Sequence, residues 1–154
     1  NNLFNNILPI IEEIVNEAKL SIKKRRDIEI EIVNHSENNI MVNSNSDRIR
    51  QVFDNLISNA IRYSERGKIS IVIEDDKEEY LFFISDTGSG INEESLSRIF
   101  ERFYRTEDAR TKFRRGTGLG LPIVKHIIEA HNSSINVDSV EGKGTTFSFA
   151  LMKS

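Results

Sequence analysis

Asp47-Arg48-Ile49-Arg50-Gln51-Val52-Phe53-Asp54-Asn55-Leu56-Ile57-Ser58-Asn59-Ala60-Ile61-Arg62-Tyr63 places its apolar and polar side chains at helical spacing. At roughly 100° per residue, Arg48, Gln51, Asn55, Asn59 and Arg62 share an arc of about 80°. Ile49, Val52, Phe53, Leu56, Ala60 and Tyr63 occupy the adjoining side. Such a helix rests one side on a core and sets two amides and a guanidinium at the core's edge. Uncharged oxygens beside a cation suit a hydrated Mg²⁺ and the phosphates it holds. Taken alone, the stripe also reads as an ordinary solvated face. Asp47 is the expected cap of this helix.

Outward from that helix, apolar residues at Leu3, Ile7, Ile10, Ile11, Ile14, Val15 and Ala18 predict a helix over residues 3–24. Asp27-Ile28-Glu29-Ile30-Glu31-Ile32-Val33 alternates acidic and apolar side chains, as a strand with one buried face does. Ile40-Met41-Val42 predicts a short strand. Residues 68–74 and 80–85 read as a strand pair joined through the charged segment 75–79. A short helix is expected over 94–102, and residues 106–115 are polar and irregular. Pro122 suits the first turn of a helix running to about His131. Residues 135–138 and 145–151 predict a closing hairpin. Strands and helices interleave, and hairpins pair neighbouring strands. That predicts an α/β two-layer sandwich, with helices on one face of a mixed, mostly antiparallel sheet.

Composition narrows the function classes. The 154 residues suffice for one domain with one substantial core. A net charge of −3 gives no reason to expect nucleic acid, which favours a basic face. With no cysteine, disulfides, thiol catalysis and cysteine-bound zinc are excluded. No apolar run approaches the ~18 residues of a membrane span. The chain opens on Asn1 with no visible signal peptide, which reads as a fragment of something longer.

Two glycine-bearing segments carry the chemistry. Ser85-Asp86-Thr87-Gly88-Ser89-Gly90-Ile91 follows an apolar strand. A carboxylate at a strand end, with Gly two and four positions on, lets the backbone approach a flat ligand. Asp86 can accept a hydrogen bond from an exocyclic amine, which adenine has and the O6 edge of guanine lacks. The same residues also make common turns. Gly116-Thr117-Gly118-Leu119-Gly120-Leu121-Pro122 opens a helix. Its exposed N–H groups and the positive end of the helix dipole suit a polyphosphate. It is neither a dinucleotide fingerprint nor a P-loop: Leu121 stands where the former needs Gly, and no Lys-Ser or Lys-Thr pair follows. Between these segments, residues 100–115 hold Arg102, Arg105, Arg110, Lys112, Arg114 and Arg115 among Phe100, Phe103, Tyr104 and Phe113. Either a solvated surface segment or a lid over phosphates fits that pattern.

Together these segments resemble sensor histidine kinases. Residues Asn55 to Tyr63 look like their N box, Asp86 to Gly90 their G1 box, Ile99 to Arg105 their F box, and Gly116 to Leu121 their G2 box, in order and at similar spacing. The likeness is nearest to the phosphate- and cell-wall-responsive kinases of low-GC Gram-positive bacteria. It implies the Bergerat-type ATP-binding fold shared with gyrase B, Hsp90 and MutL, over the whole chain, residues 1–154. It also implies Mg-ATP as cofactor and transfer of the γ-phosphoryl group to a histidine on a separate helical dimerisation domain. Further implications are a downstream response regulator, a cytoplasmic location, a monomeric fragment of a homodimeric parent, and no contact with nucleic acid or membrane by this part.

Carried over residue by residue, the resemblance makes Asn59 the Mg²⁺ ligand, with Asn55 near phosphates and metal. Arg62 meets a phosphate, Tyr63 flanks the nucleotide, and Asp86 binds the adenine amine. Gly88, Gly90, Ile91, Gly116, Thr117, Gly118, Leu119, Gly120 and Leu121 line the nucleotide. Arg105 reaches the γ-phosphate from the lid, so Asn55 and Arg105 are the candidate catalytic pair. His35, His126 and His131 each lack the acidic neighbour of the family's phosphoacceptor histidine, so the domain bearing that histidine is not expected here. Arg115 stands where the family often has a small residue. Rival readings are an ATPase clamp, a serine-directed anti-sigma-factor kinase, and a nucleotide-sensing module without catalysis. A clamp would want Glu at position 55, one turn before Asn59, to activate water.

Overall fold

The computed structural model describes residues 3–22, 27–36, 39–64, 66–102, 104 and 120–153. In chain order the elements are β1 (Leu3–Asn6), α1 (Leu8–Ile22), β2 (Asp27–Asn34), β3 (Met41–Ser44), α2 (Ser46–Tyr63), β4 (Arg66–Asp76), β5 (Glu79–Asp86), α3 (Glu93–Leu96), α4 (Gly120–Ala130), β6 (Asn136–Val140) and β7 (Gly144–Met152). Five strands form one sheet in the order β2-β4-β5-β7-β6. Only β2 and β4 run parallel; the other neighbours are antiparallel. Strands β1 and β3 make a separate antiparallel pair.

The core lies between the sheet and the helices on one of its faces, as the alternating and helical patterns require. Strand β5 buries Tyr80, Phe82, Ile84 and Asp86, every second residue. Helix α2 buries Ile49, Val52, Phe53, Leu56, Ile57, Asn59 and Ala60. Phe53 seats α2 on the sheet. Its ring lies 5.6 Å from both Phe82 on β5 and Phe149 on β7, and those two stack at 5.2 Å. Removing the fully buried Phe53 ring would cost about 3–5 kcal/mol, enough to threaten a domain of this size.

Four expectations are corrected. The helix expected over 3–24 starts only at Leu8, because residues 3–6 pair with β3 in the register Leu3 to Ser44. Asn45, not Asp47, caps α2: its side chain accepts from the Arg48 N–H at 3.2 Å. Asp47 instead adds its charge to the first turn, where the helix dipole favours it. The charged run 75–79 is mostly strand; β4 and β5 extend through it, and Lys77 takes the left-handed turn position at φ 53°. The helix expected over 94–102 ends at Leu96. Successive turns follow, with Arg98 N–H on Ser95 O, Glu101 N–H on Arg98 O and Tyr104 N–H on Glu101 O. This path buries Ile99 and lets the Tyr104 hydroxyl donate to Ser95 Oγ at 2.8 Å.

Helix α4 ends on an αL cap. Asn132 has φ 60°, its N–H reaches Glu129 O, and the Ser133 N–H reaches Ile128 O. Between helix and cap lies His131, 8% exposed. Its Nδ1–H donates to Ile127 O at 2.8 Å, and its Nε2 accepts from the Asn45 N–H at 3.2 Å. Those partners assign a neutral imidazole that ties the end of α4 to the cap of α2.

Candidate functional site

The polar stripe of α2 grades from water to core. Arg48 is exposed, Gln51, Asn55 and Arg62 are half-buried, and Asn59 is buried at 7% exposure. Asn55 faces the start of α4: a Cβ on Gly120 would stand 3.3 Å from Asn55 Oδ1. Asp54 is exposed, off the stripe.

Asp86 ends β5, buried at 8% exposure. Burial pushes its carboxyl above the usual aspartate range, while hydrogen bonds from the Gly88 and Thr145 backbone N–H groups pull it partly back. The Gly88 bond, to Oδ1, is 2.8 Å. The loop after Asp86 is fixed on three sides. Thr87 joins β4, its N–H on Lys68 O and its Oγ1 accepting from the Lys68 N–H at 3.0 Å. Ser89 N–H donates to Tyr63 O, at the last turn of α2, at 3.2 Å. Gly142 N–H donates to Ser89 O at 2.6 Å, from the turn between β6 and β7. Gly90 takes φ 72°, and a side chain there would strike the Val140 carbonyl.

Helix α2 is therefore a common wall. Tyr63 meets the Asp86 loop, and Asn55 meets the start of α4. Their eight-position separation is about 12 Å along the axis. Gly120 and Leu121 open α4 with N–H groups that lack intrahelical partners, and Pro122 loses nothing by having none. Arg105, Gly116, Thr117, Gly118 and Leu119 lie outside the described residues, as does the segment 106–115. The approach to that segment is anchored. Phe100 packs edge-on against Phe147 at 6.3 Å, and Lys125 of α4 lies over the Phe100 ring at 5.9 Å. Arg98 lies over the Tyr104 ring at 4.4 Å.

Two residues beside the site escaped the sequence reading, Thr145 and Ser139. The β5–β7 register sets Thr145 opposite Asp86. The paired glycines Gly142 and Gly144 were the available signal, and they read only as a turn. Gly144, at φ 136°, lets β7 pass the Asp86 carbonyl where a side chain would collide. No cluster of three or more His, Asp or Glu side chains that could hold a metal occurs among the described residues. Among the described residues no helix is long and apolar enough to cross a membrane.

Residues 44–154 match the family model described as histidine kinase-, DNA gyrase B-, and HSP90-like ATPase. The chain is 43% identical over 136 residues to the sensor histidine kinase WalK of Bacillus subtilis, covering 86% of this chain and 22% of that protein. It is 50% identical over 108 residues to the sensor protein SrrB of Staphylococcus aureus, covering 70% of this chain and 18% of that one. It thus spans about a fifth of these relatives' length. The catalytic domain of histidine kinase ThkA superposes with a TM-score of 0.84 at 31% identity, over 99% of this chain and 98% of that one. The chain therefore belongs to the histidine kinase-, DNA gyrase B- and HSP90-like ATPase family, among the ATP-binding catalytic domains of histidine kinases.

Proposed function

We propose that residues 1–154 bind Mg-ATP and present its γ-phosphoryl group to a histidine on a separate helical dimerisation domain, in a two-component signalling pathway. The observation that carries this reading is the wall formed by α2. It joins an amine acceptor at one end, Asp86, to amide oxygens and a helix start at the other. The separation suits a nucleoside triphosphate laid along the helix.

The residues present fit this cofactor. Asp86 accepts the adenine amine through a carboxylate already held by Gly88. Asn59, buried on the polar stripe of α2, offers the uncharged amide oxygen that a magnesium ion accepts. Magnesium, when bound, neutralises phosphate charge and fixes the phosphate geometry. Asn55 lies beside the phosphates against Gly120 and Leu121, whose N–H groups and helix dipole favour an anion. Arg62 meets a phosphate from the last turn of α2, and Tyr63 flanks the nucleotide. Gly88, Gly90 and Ile91 shape the base side, with Gly116, Thr117, Gly118 and Leu119 on the phosphate side. Arg105 is the residue assigned to the γ-phosphate by its place in the resemblance.

Phosphoryl transfer asks for positioning and charge neutralisation rather than covalent work by this domain. The incoming histidine supplies the nucleophile. Asn55 cannot take a proton from water and Asp54 points elsewhere, so hydrolysis stays slow and the phosphoryl group is kept for its acceptor. The parent is read as a homodimeric sensor whose catalytic part lies in the cytoplasm and whose phosphohistidine serves a response regulator.

The test mixes the domain with a purified histidine-bearing helical domain of a sensor kinase and ATP labelled at the γ-position. Acid-labile, base-stable label on the helical domain, dependent on Mg²⁺, is expected. Label on serine, or ATP binding with no transfer to any such domain, would overturn the reading.

A further inference from the structure

The far end of the loop 86–91 is held by a hydroxyl outside it. Ser139, on β6, accepts the Ile91 N–H at 2.7 Å. The same Oγ lies 3.0 Å from the Gly144 carbonyl and 2.8 Å from Thr145 Oγ1. A serine hydroxyl has one proton to give and two lone pairs to receive with. Donation to Gly144 O, with acceptance from Ile91 N–H and the Thr145 hydroxyl, uses all three. Ile91 and Thr145 are both buried, so neither has ready access to a replacement water. Ser139 lies opposite Thr145 in the β6–β7 register, and Thr145 lies opposite Asp86 in the β5–β7 register.

We propose that Ser139 is a positioning residue for the nucleotide base. It fixes the far end of the loop that begins at Asp86, so that the carboxylate meets the exocyclic amine at a set depth. This rests on the reading of Asp86 as the base acceptor. Ser139 is remote along the sheet from the phosphate end of α2. It therefore governs how tightly the base is held and leaves the transfer step alone. A second connection, Gly142 N–H to Ser89 O, fastens the middle of the loop to the same hairpin. The β6–β7 hairpin thereby acts as the base-side wall of the site.

The experiment compares the unaltered chain with Ser139→Ala and Ser139→Thr, which keeps the Oγ. Calorimetry reads ATP and ADP affinity, single-turnover transfer to an added histidine domain reads the chemical step, and hydrogen exchange reads the Ile91 amide. Expected for Ser139→Ala is a loss of about five- to tenfold in affinity for ATP and ADP alike, the scale of one hydrogen bond. Transfer at saturating ATP should stay within twofold, and the Ile91 amide should exchange faster. Ser139→Thr should restore both affinity and exchange protection. Affinity within twofold of the unaltered chain in Ser139→Ala, or saturated transfer falling as much as affinity, would overturn the role, as would failure of Ser139→Thr to restore affinity. No ATP affinity in the unaltered chain would instead overturn the functional reading itself and take this inference with it.

Discussion

Gly88 lies against Tyr63 so closely that a side chain on it would collide with the Tyr63 carbonyl oxygen. The loop carrying Asp86 and the last turn of α2 are thereby one rigid unit. Gly88→Ala must push the two apart, since the obstacle is backbone rather than a flexible side-chain tip. The cost should be about 1–3 kcal/mol of stability, with ATP affinity lowered by tenfold or more. Thermal unfolding and calorimetry check both. Unchanged affinity would separate loop placement from binding.

Asp86→Asn should weaken ATP binding by about 1.5–3 kcal/mol while raising the melting temperature of the free domain at neutral pH. The buried carboxyl holds its proton more tightly folded than unfolded, chiefly because burial disfavours its charge. Its contribution to stability is therefore full below the ordinary aspartate pKa and is lost as pH rises through the raised folded value. An amine donor favours the ionised form, so ATP affinity should climb over that same window. Calorimetry across acid pH would show the climb in the unaltered chain and its absence in Asp86→Asn. GTP binding as tightly as ATP would reject Asp86 as the selector.

Asn59→Ala should abolish the increment that Mg²⁺ adds to nucleotide affinity and leave the metal-free affinity nearly intact. Mg²⁺ keeps its octahedron strictly, and a methyl group cannot stand in for the lost oxygen. Titrations with and without Mg²⁺ decide this, and an increment that survives would move the metal elsewhere.

His131→Ala should destabilise the fold by about 2–3 kcal/mol, because it strands the Asn45 N–H, takes from the Ile127 carbonyl its side-chain donor and leaves a void. Urea denaturation measures the loss. Nitrogen NMR of the unaltered protein should show a neutral ring protonated at Nδ1, as its two partners require. A ring protonated at Nε2 would contradict the link between α4 and α2.

Where side-chain periodicity alone decides an element, the sequence was legible. The apolar faces of α2 and α4 and the alternation in β4 and β5 reflect burial against one sheet face. Residues 3–6 misled because Leu3 falls in phase with Ile7 and Ile10 of α1; only pairing with β3, nearly forty positions away, makes them a strand. Asn45 and Asp47 are both able caps, and backbone geometry chose between them. In the candidate site, Asp86, Gly88 and the amides of α2 stood out because their residue types are unusual at those places. Thr145 and Ser139 did not, since Thr and Ser are ordinary on strands. Their importance comes from register, which brings them to Asp86 from more than fifty residues away.

Strand β7 lies between β5 and β6, so Ser85 and Thr146 meet across 61 residues of chain. Everything between them, including residues 105–119, is enclosed by a closure already made through the strands on either side. The entropy of such a closure grows only with the logarithm of its length, by about 0.6 kcal/mol per doubling. Lengthening or shortening the chain between Tyr104 and Gly120 by several residues should therefore barely touch the melting temperature. The length of that stretch is thereby uncoupled from the stability of the sheet that holds Asp86.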